Sequence, residues 1–113
     1  MAEMVKMTAK QVADRVKQVY EIQDKHLDDV HYKEFHQRIY DDGIWTIDLE
    51  VFAVSKQVRF WVAREDKLGH YNNSLVTMYR DSLGDFKYSC NFKLKYDIVR
   101  RLKMIFEQLE KLR

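Results

Sequence analysis

The stretch Trp45-Thr46-Ile47-Asp48-Leu49-Glu50-Val51-Phe52-Ala53 decides the fold. Apolar side chains at positions 45, 47, 49, 51 and 53 alternate with Thr46, Asp48 and Glu50. That period of two belongs to a half-buried strand and not to a helix. Val58 to Glu65, rich in β-branched and aromatic residues, predicts a second strand. Ser55-Lys56-Gln57 between them leaves room only for a hairpin turn, so the pair is antiparallel. A register with Ala53 opposite Phe60 and Val54 opposite Arg59 groups Trp45, Ile47, Leu49, Val51 and Ala53 with Phe60 and Val62 on one apolar face. A slip of one residue would mix Trp61 and Arg59 into it.

Downstream, Asp66 to Asn73 reads as a loop, with Gly69 and two asparagines. Leu75 to Arg80 is a third strand, Ser82 to Asp85 a turn, and Phe86 to Leu94 a fourth strand. Short connections favour a meander in chain order. The chain then turns helical: Ile98, Leu102, Ile105, Leu109 and Leu112 recur at threes and fours, with Asp97 as the expected N-cap. Upstream, Thr8-Ala9-Lys10-Gln11 is a capping box, flanked by Met7 and Val12 where a hydrophobic staple forms. It opens a helix expected from Thr8 to Leu27, with Val12, Val16, Val19 and Leu27 on one face. Between the two regions, Tyr32, Phe35 and Ile39 repeat with helical spacing and Glu34 pairs with Arg38 at i,i+4. A second short helix is therefore expected over 28–42, stopped at Gly43.

These readings combine into one α+β domain over 1–113, with a four-stranded antiparallel meander sheet packed by helices from both ends, in the order α-α-β-β-β-β-α. Length agrees, because 113 residues suit a single domain. The chain has no proline and three glycines, Gly43, Gly69 and Gly84, each falling between periodic segments as punctuation. No run approaches the roughly 18 apolar residues of a membrane span. Met1 to Lys10 lacks the apolar core of a signal peptide, and one cysteine makes no internal disulfide. A cytoplasmic protein with no membrane partner is the expectation.

Chemistry is harder to find. There is no glycine-rich phosphate loop, nucleophile elbow or CxxC, and Cys90 reads as a small buried hydrophobe lacking an activating base. Spacings of five separate His26, His31 and His36 by about 140° on a helix, which suits surface histidines better than ligands. No enzyme activity and no cofactor are expected. In the chosen register Asp48 lies across from Glu65, with Lys67 two residues on. This resembles the PD-(D/E)xK nuclease pattern, which implies Mg²⁺ held by the two carboxylates and water oriented by the lysine.

Two binding surfaces remain. The second face of the hairpin carries Phe52, Val54 and Trp61 near the turn, and Asp48, Glu50 and Glu65 at its other end. Either a terminal helix covers the apolar group or a partner does, and Trp and Phe are common interface anchors. Charge supplies the other surface. Residues 1–56 hold 8 Lys/Arg against 11 Asp/Glu, whereas residues 57–113 hold 12 against 7. Lys87, Lys93, Lys95, Arg100, Arg101 and Lys103 stand against Asp97 alone between Phe86 and Met104, a row that could meet nucleic-acid phosphates. The leading expectation is a small protein-interaction module: an adaptor, regulator or inhibitor, of the kind found among accessory proteins of phages and mobile elements. Nucleic-acid binding is the alternative, a Mg²⁺-dependent nuclease the third. The apolar seam of the last helix adds homodimerisation as an expectation.

Overall fold

The fold is that of a computed structural model, which describes residues 4–25, 34–66 and 68–112. It is α+β, with an antiparallel sheet and two helices. In chain order these are β1 (Val5–Lys6), α1 (Ala9–Lys25), β2 (Glu34–Asp41), β3 (Trp45–Phe52), β4 (Gln57–Glu65), β5 (Tyr71–Arg80), β6 (Phe86–Ser89) and α2 (Tyr96–Glu110). The sheet has six strands in sequence order, every neighbouring pair antiparallel. The expected count of four is thus too low. β1 is a two-residue strand, too short to leave a pattern in sequence.

The other added strand corrects the expected second helix. Residues 34–41 are extended and pair with β3; residues 28–33 of that expectation lie outside the described part. The register shifts between Arg38 and Tyr40, so one extra residue, Ile39, is accommodated as a bulge. Ile39 and Tyr40 are both buried in consequence. Phe35 and Gln37 precede them on the core side, and the polar Gln37 donates to Met7 Sδ at 3.6 Å. A polar residue in the inward row and a bulge after it break the period of two. What remains, Phe35 and Ile39, has helical spacing.

α1 starts as its sequence dictates. Thr8 N donates to Gln11 Oε1 at 2.8 Å, and Gln11 N donates to Thr8 Oγ1 at 3.1 Å. α2 starts differently from expectation. Its N-cap is Lys95, in extended conformation and without a side-chain cap, while Asp97 sits in the first turn, where a carboxylate meets the positive end of the helix. The expected fourth strand also ends early, at Ser89. Asn91 N leaves the ladder and donates to Ser74 Oγ at 3.0 Å. Phe92 and Leu94 still turn inward, Phe92 against Trp45 with ring centroids 6.2 Å apart, so alternation continues without strand pairing.

Both helices lie on one side of the sheet. Val12, Val16 and Val19 of α1 and Ile98, Leu102 and Ile105 of α2 share a buried cluster with Ile47, Leu49, Val51, Phe60, Val62 and Val76. The inward set expected from the hairpin, Trp45 to Ala53 with Phe60 and Val62, is buried throughout. The pairing itself is shifted, with Leu49 opposite Phe60 and Val51 opposite Val58. Relative to the expected register that is a slide of four residues, an even number, which preserves the faces while moving every partner. The turn is the cause. It occupies Ala53 to Lys56, with Lys56 at φ 59°, so Ala53 tucks inward within the turn and pairs with nothing.

The β4–β5 and β5–β6 turns are built alike. Asp66 Oδ1 accepts from Leu68 N and His70 N at 2.9 and 2.8 Å; Asp81 Oδ1 accepts from Leu83 N and Asp85 N at 3.0 and 2.9 Å. Gly69 and Gly84, at φ 80° and 83°, follow the leucines. Each Asp-x-Leu-Gly turn leaves its leucine exposed at the tip.

Candidate interaction surface

With both helices on one face, the other face of the sheet has no covering element among the described residues. It is assembled from alternate positions of five strands. β2 contributes Glu34, His36 and Arg38, β3 Asp48, Glu50 and Phe52, β4 Arg59 and Trp61, β5 Asn73, Leu75 and Tyr79, and β6 Lys87. The expectation that a terminal helix covers this face is corrected. Two helices on the opposite side bury the long inward row, and the molecule is only 22 Å along its shortest axis, the thickness of two layers.

Trp61 sits mid-face, across from Asp48 on one side and Leu75 on the other, and is half-buried. Its Nε1 donates to Glu50 Oε1 at 3.4 Å. The Glu50 side chain is 15% exposed and also faces His36 Nδ1 at 3.4 Å and Arg59 Nη1 at 3.9 Å. The Arg59 guanidinium in turn lies 4.9 Å from the Phe52 ring centroid. Asp48 is held by Arg38, whose Nε and Nη2 donate to its two oxygens at 2.9 and 3.4 Å. That hydrogen bond raises the Arg38 guanidinium above its ordinary value, against a smaller effect of burial. His36, Arg38, Asp48, Trp61 and Asn73 line one shallow depression of about 550 Å³.

Phe52 and Trp61 therefore share the open face, as expected, but not as one apolar group. Glu50 and Arg59 stand between them, because the shifted register sets Trp61 beside Asp48. Val54 is elsewhere: it is 63% exposed in the β3–β4 turn. Arg38, His36, Leu75 and Tyr79 complete the face without having been anticipated. The signal for Leu75 and Tyr79 was present, since Tyr71, Asn73, Leu75, Thr77 and Tyr79 alternate. β2 offered none through its bulge.

The metal expectation depended on the register. Asp48 faces Trp61, and Glu65 pairs with Tyr71 on its other side, so the two carboxylates are offset by four residues, about 13 Å along the ladder. Lys67 lies outside the described residues. No group of three or more His, Cys, Asp or Glu side chains that could hold a metal occurs among the described residues. His26 and His31 are not among them, and His70 sits beside Asp66 at 3.6 Å. Cys90 is half-buried against the core.

The basic row is divided between surfaces. Lys87 faces the open side, paired across from Tyr79. Lys93 and Lys95 are exposed in the segment leading to α2, and Arg100 and Lys103 are exposed on α2 itself. Arg101 is occupied within the fold: Nη1 donates to the Met7 carbonyl at 3.0 Å, and the guanidinium lies 4.5 Å from the Tyr40 ring centroid. Lys6, Arg100 and Arg101 line a depression of about 400 Å³ beside the start of α1. The seam expected for dimerisation is used internally at Ile98, Leu102 and Ile105, while Leu112 lies beyond the end of α2. No helix of the described residues is long and apolar enough to cross a membrane. Compared with known protein families, curated proteins and solved structures, the chain matches none.

Proposed function

We propose that this chain is a non-catalytic protein-binding module, an adaptor, regulator or inhibitor, whose contact surface is the open sheet face centred on Trp61 and Phe52. One observation carries the reading. A tryptophan is held half-buried at the middle of a sheet face, its N–H fixed by Glu50, with no helix over it among the described residues. Trp and Arg dominate the energetics of protein contacts, and a rigid indole ringed by Arg38, Asp48, Glu50 and Arg59 provides an anchor with a polar rim. The ion pairs give that rim both signs of charge, which suits a protein partner better than a polyanion. The test is capture of a partner from the native host by the immobilised chain, followed by affinity measurement with variants. Trp61→Ala should weaken binding by about 2 kcal/mol or more, some thirtyfold, with circular dichroism unchanged. Phe52→Asp should weaken it too, and Arg100→Glu should not. A folded Trp61→Ala variant binding the same partner with full affinity ends the proposal.

Nucleic-acid binding is favoured by one observation, the placing of Lys6, Arg100 and Arg101, with Asp97 as the one carboxylate among them, around a single depression. That reading predicts salt-sensitive retardation of DNA or RNA, lost on reversing the charge of Lys6 and Arg100. No retardation at low salt removes it.

A further inference from the structure

The outer edge of β2 is paired over only part of its length. β1 covers Tyr40 and Asp41, and Met7 N donates to the Ile39 carbonyl at 3.0 Å. Beside Glu34 to Arg38 no strand lies on that side among the described residues. Such an edge presents backbone N–H and C=O groups to any further strand, and like charges or lysines are the usual guard against one. β6, at the other end of the sheet, carries Lys87 as its one charge. The unpaired stretch of β2 instead carries two charges of opposite sign. Glu34 and Arg38 stand symmetrically about His36, all three exposed on the open face. Arg38 uses Nε and Nη2 on Asp48, while its Nη1 stands 3.9 Å from Asp41, beyond hydrogen-bond length. Glu34 faces His36 Nε2 at 3.7 Å. Each retains capacity for a closer partner.

We infer that β2 is the contact of a homodimer, in which Glu34 to Arg38 pairs antiparallel with the same segment of a second copy about a two-fold axis at His36. In that register Glu34 of each copy stands opposite Arg38 of the other, and Phe35 stands opposite Gln37. Two opposite-charge pairs form on the exposed face. Residues directly opposite must share a face, so the register moves only in steps of two. Either step sets His36 against Glu34 or Arg38 and loses both charge pairs, so charge selects the symmetric register. Complementary signs on either side of the axis are what an isologous contact requires of one patch. The pairing runs in the plane of the sheet. It joins two sheets into one and leaves both Trp61 faces open on the same side, so its fate is independent of the proposed protein contact. Five residues of edge bury little area, which makes the association weak.

Sedimentation equilibrium over a concentration series reaching about 1 mM should move the mass from one chain to two. Amide resonances should shift with concentration at residues 34–38, and not along β6 or α2. Glu34→Lys sets like charges against each other in both pairs and should weaken the dimer about tenfold. Arg38→Glu should do the same by setting two carboxylates together. An equimolar mixture of the two variants should associate about tenfold more tightly than either alone, since both cross-chain pairs are then opposite in sign. The inference fails if the wild-type chain stays monomeric throughout, if the shifts centre on β6 or α2, or if Glu34→Lys associates as tightly as the wild type. It fails equally if the two folded variants gain nothing by mixing. Arg38→Glu adds a carboxylate beside Asp48; should it not fold, the wild-type shifts and the exposed Glu34 still decide the matter.

Discussion

Three donors converge on the Asp42 carboxylate: Ile44 N at 2.9 Å, Trp45 N at 2.7 Å and the Tyr40 hydroxyl at 2.8 Å. Burial by itself would push Asp42 up, but the Trp45 and Ile44 N–H groups, then Tyr40 and nearby Lys95, outweigh it and hold the carboxyl below its ordinary value. The Tyr40 hydroxyl moves oppositely: burial first, then donation to Asp42, pushes it up to about 12. The two shifts bound stability on opposite sides of neutrality. With its folded value depressed, Asp42 contributes fully above the unfolded carboxyl value of about 3.9, and the contribution is lost as pH falls through the folded value. With its folded value raised, Tyr40 contributes fully below the unfolded value of about 10, and the contribution is lost as pH rises toward its folded value. Urea midpoints should therefore drop on both limbs. Asp42→Asn should flatten the acid limb, and Tyr40→Phe, destabilising by about 1–2 kcal/mol at pH 7, should flatten the alkaline one. An alkaline limb unchanged in Tyr40→Phe would refute the assignment.

Among the elements, the two Asp-x-Leu-Gly turns and the α1 cap are the local devices whose removal has a definite size. Asp81→Ala leaves Leu83 N and Asp85 N without their side-chain acceptor and should cost about 1 kcal/mol. Thr8→Ala, which breaks the capping box, should cost a similar amount. Gly84→Ala forces a side chain into φ 83° and should be at least as costly. Chemical denaturation measures all three. The capping box was legible in the residues, and the two turns were legible as breaks marked by Gly69 and Gly84, because each operates within five positions of chain. The acceptor role of Asp66 and Asp81 came only with the structure. β2 was not legible, since the bulge at Ile39 and the inward Gln37 erased its alternation; nor was the early end of β6, since Phe92 and Leu94 keep alternating after pairing stops.

Across the whole molecule, stability rests on a single buried layer between sheet and helices. Leu49→Ala or Leu102→Ala, each removing a side chain with no more than 1% exposure, should cost about 2–5 kcal/mol by denaturant unfolding. Trp61→Ala on the open face should cost less, because its indole is partly solvated already. A larger loss at Trp61 than at Leu49 would contradict the two-layer arrangement. The α+β class, the antiparallel hairpin, the capping box and the inward row from Trp45 to Ala53 could all be read from the chain, because a period of two or 3.6 is a local property that survives any even slide of one strand past another. The four-residue slide that parts Asp48 from Glu65, the placing of both helices on one face, and the meeting of Trp61, His36 and Arg59 around Glu50 arose only on folding. Those depend on how the β3–β4 turn closes and on which side the helices pack, and residues distant along the chain settle both together.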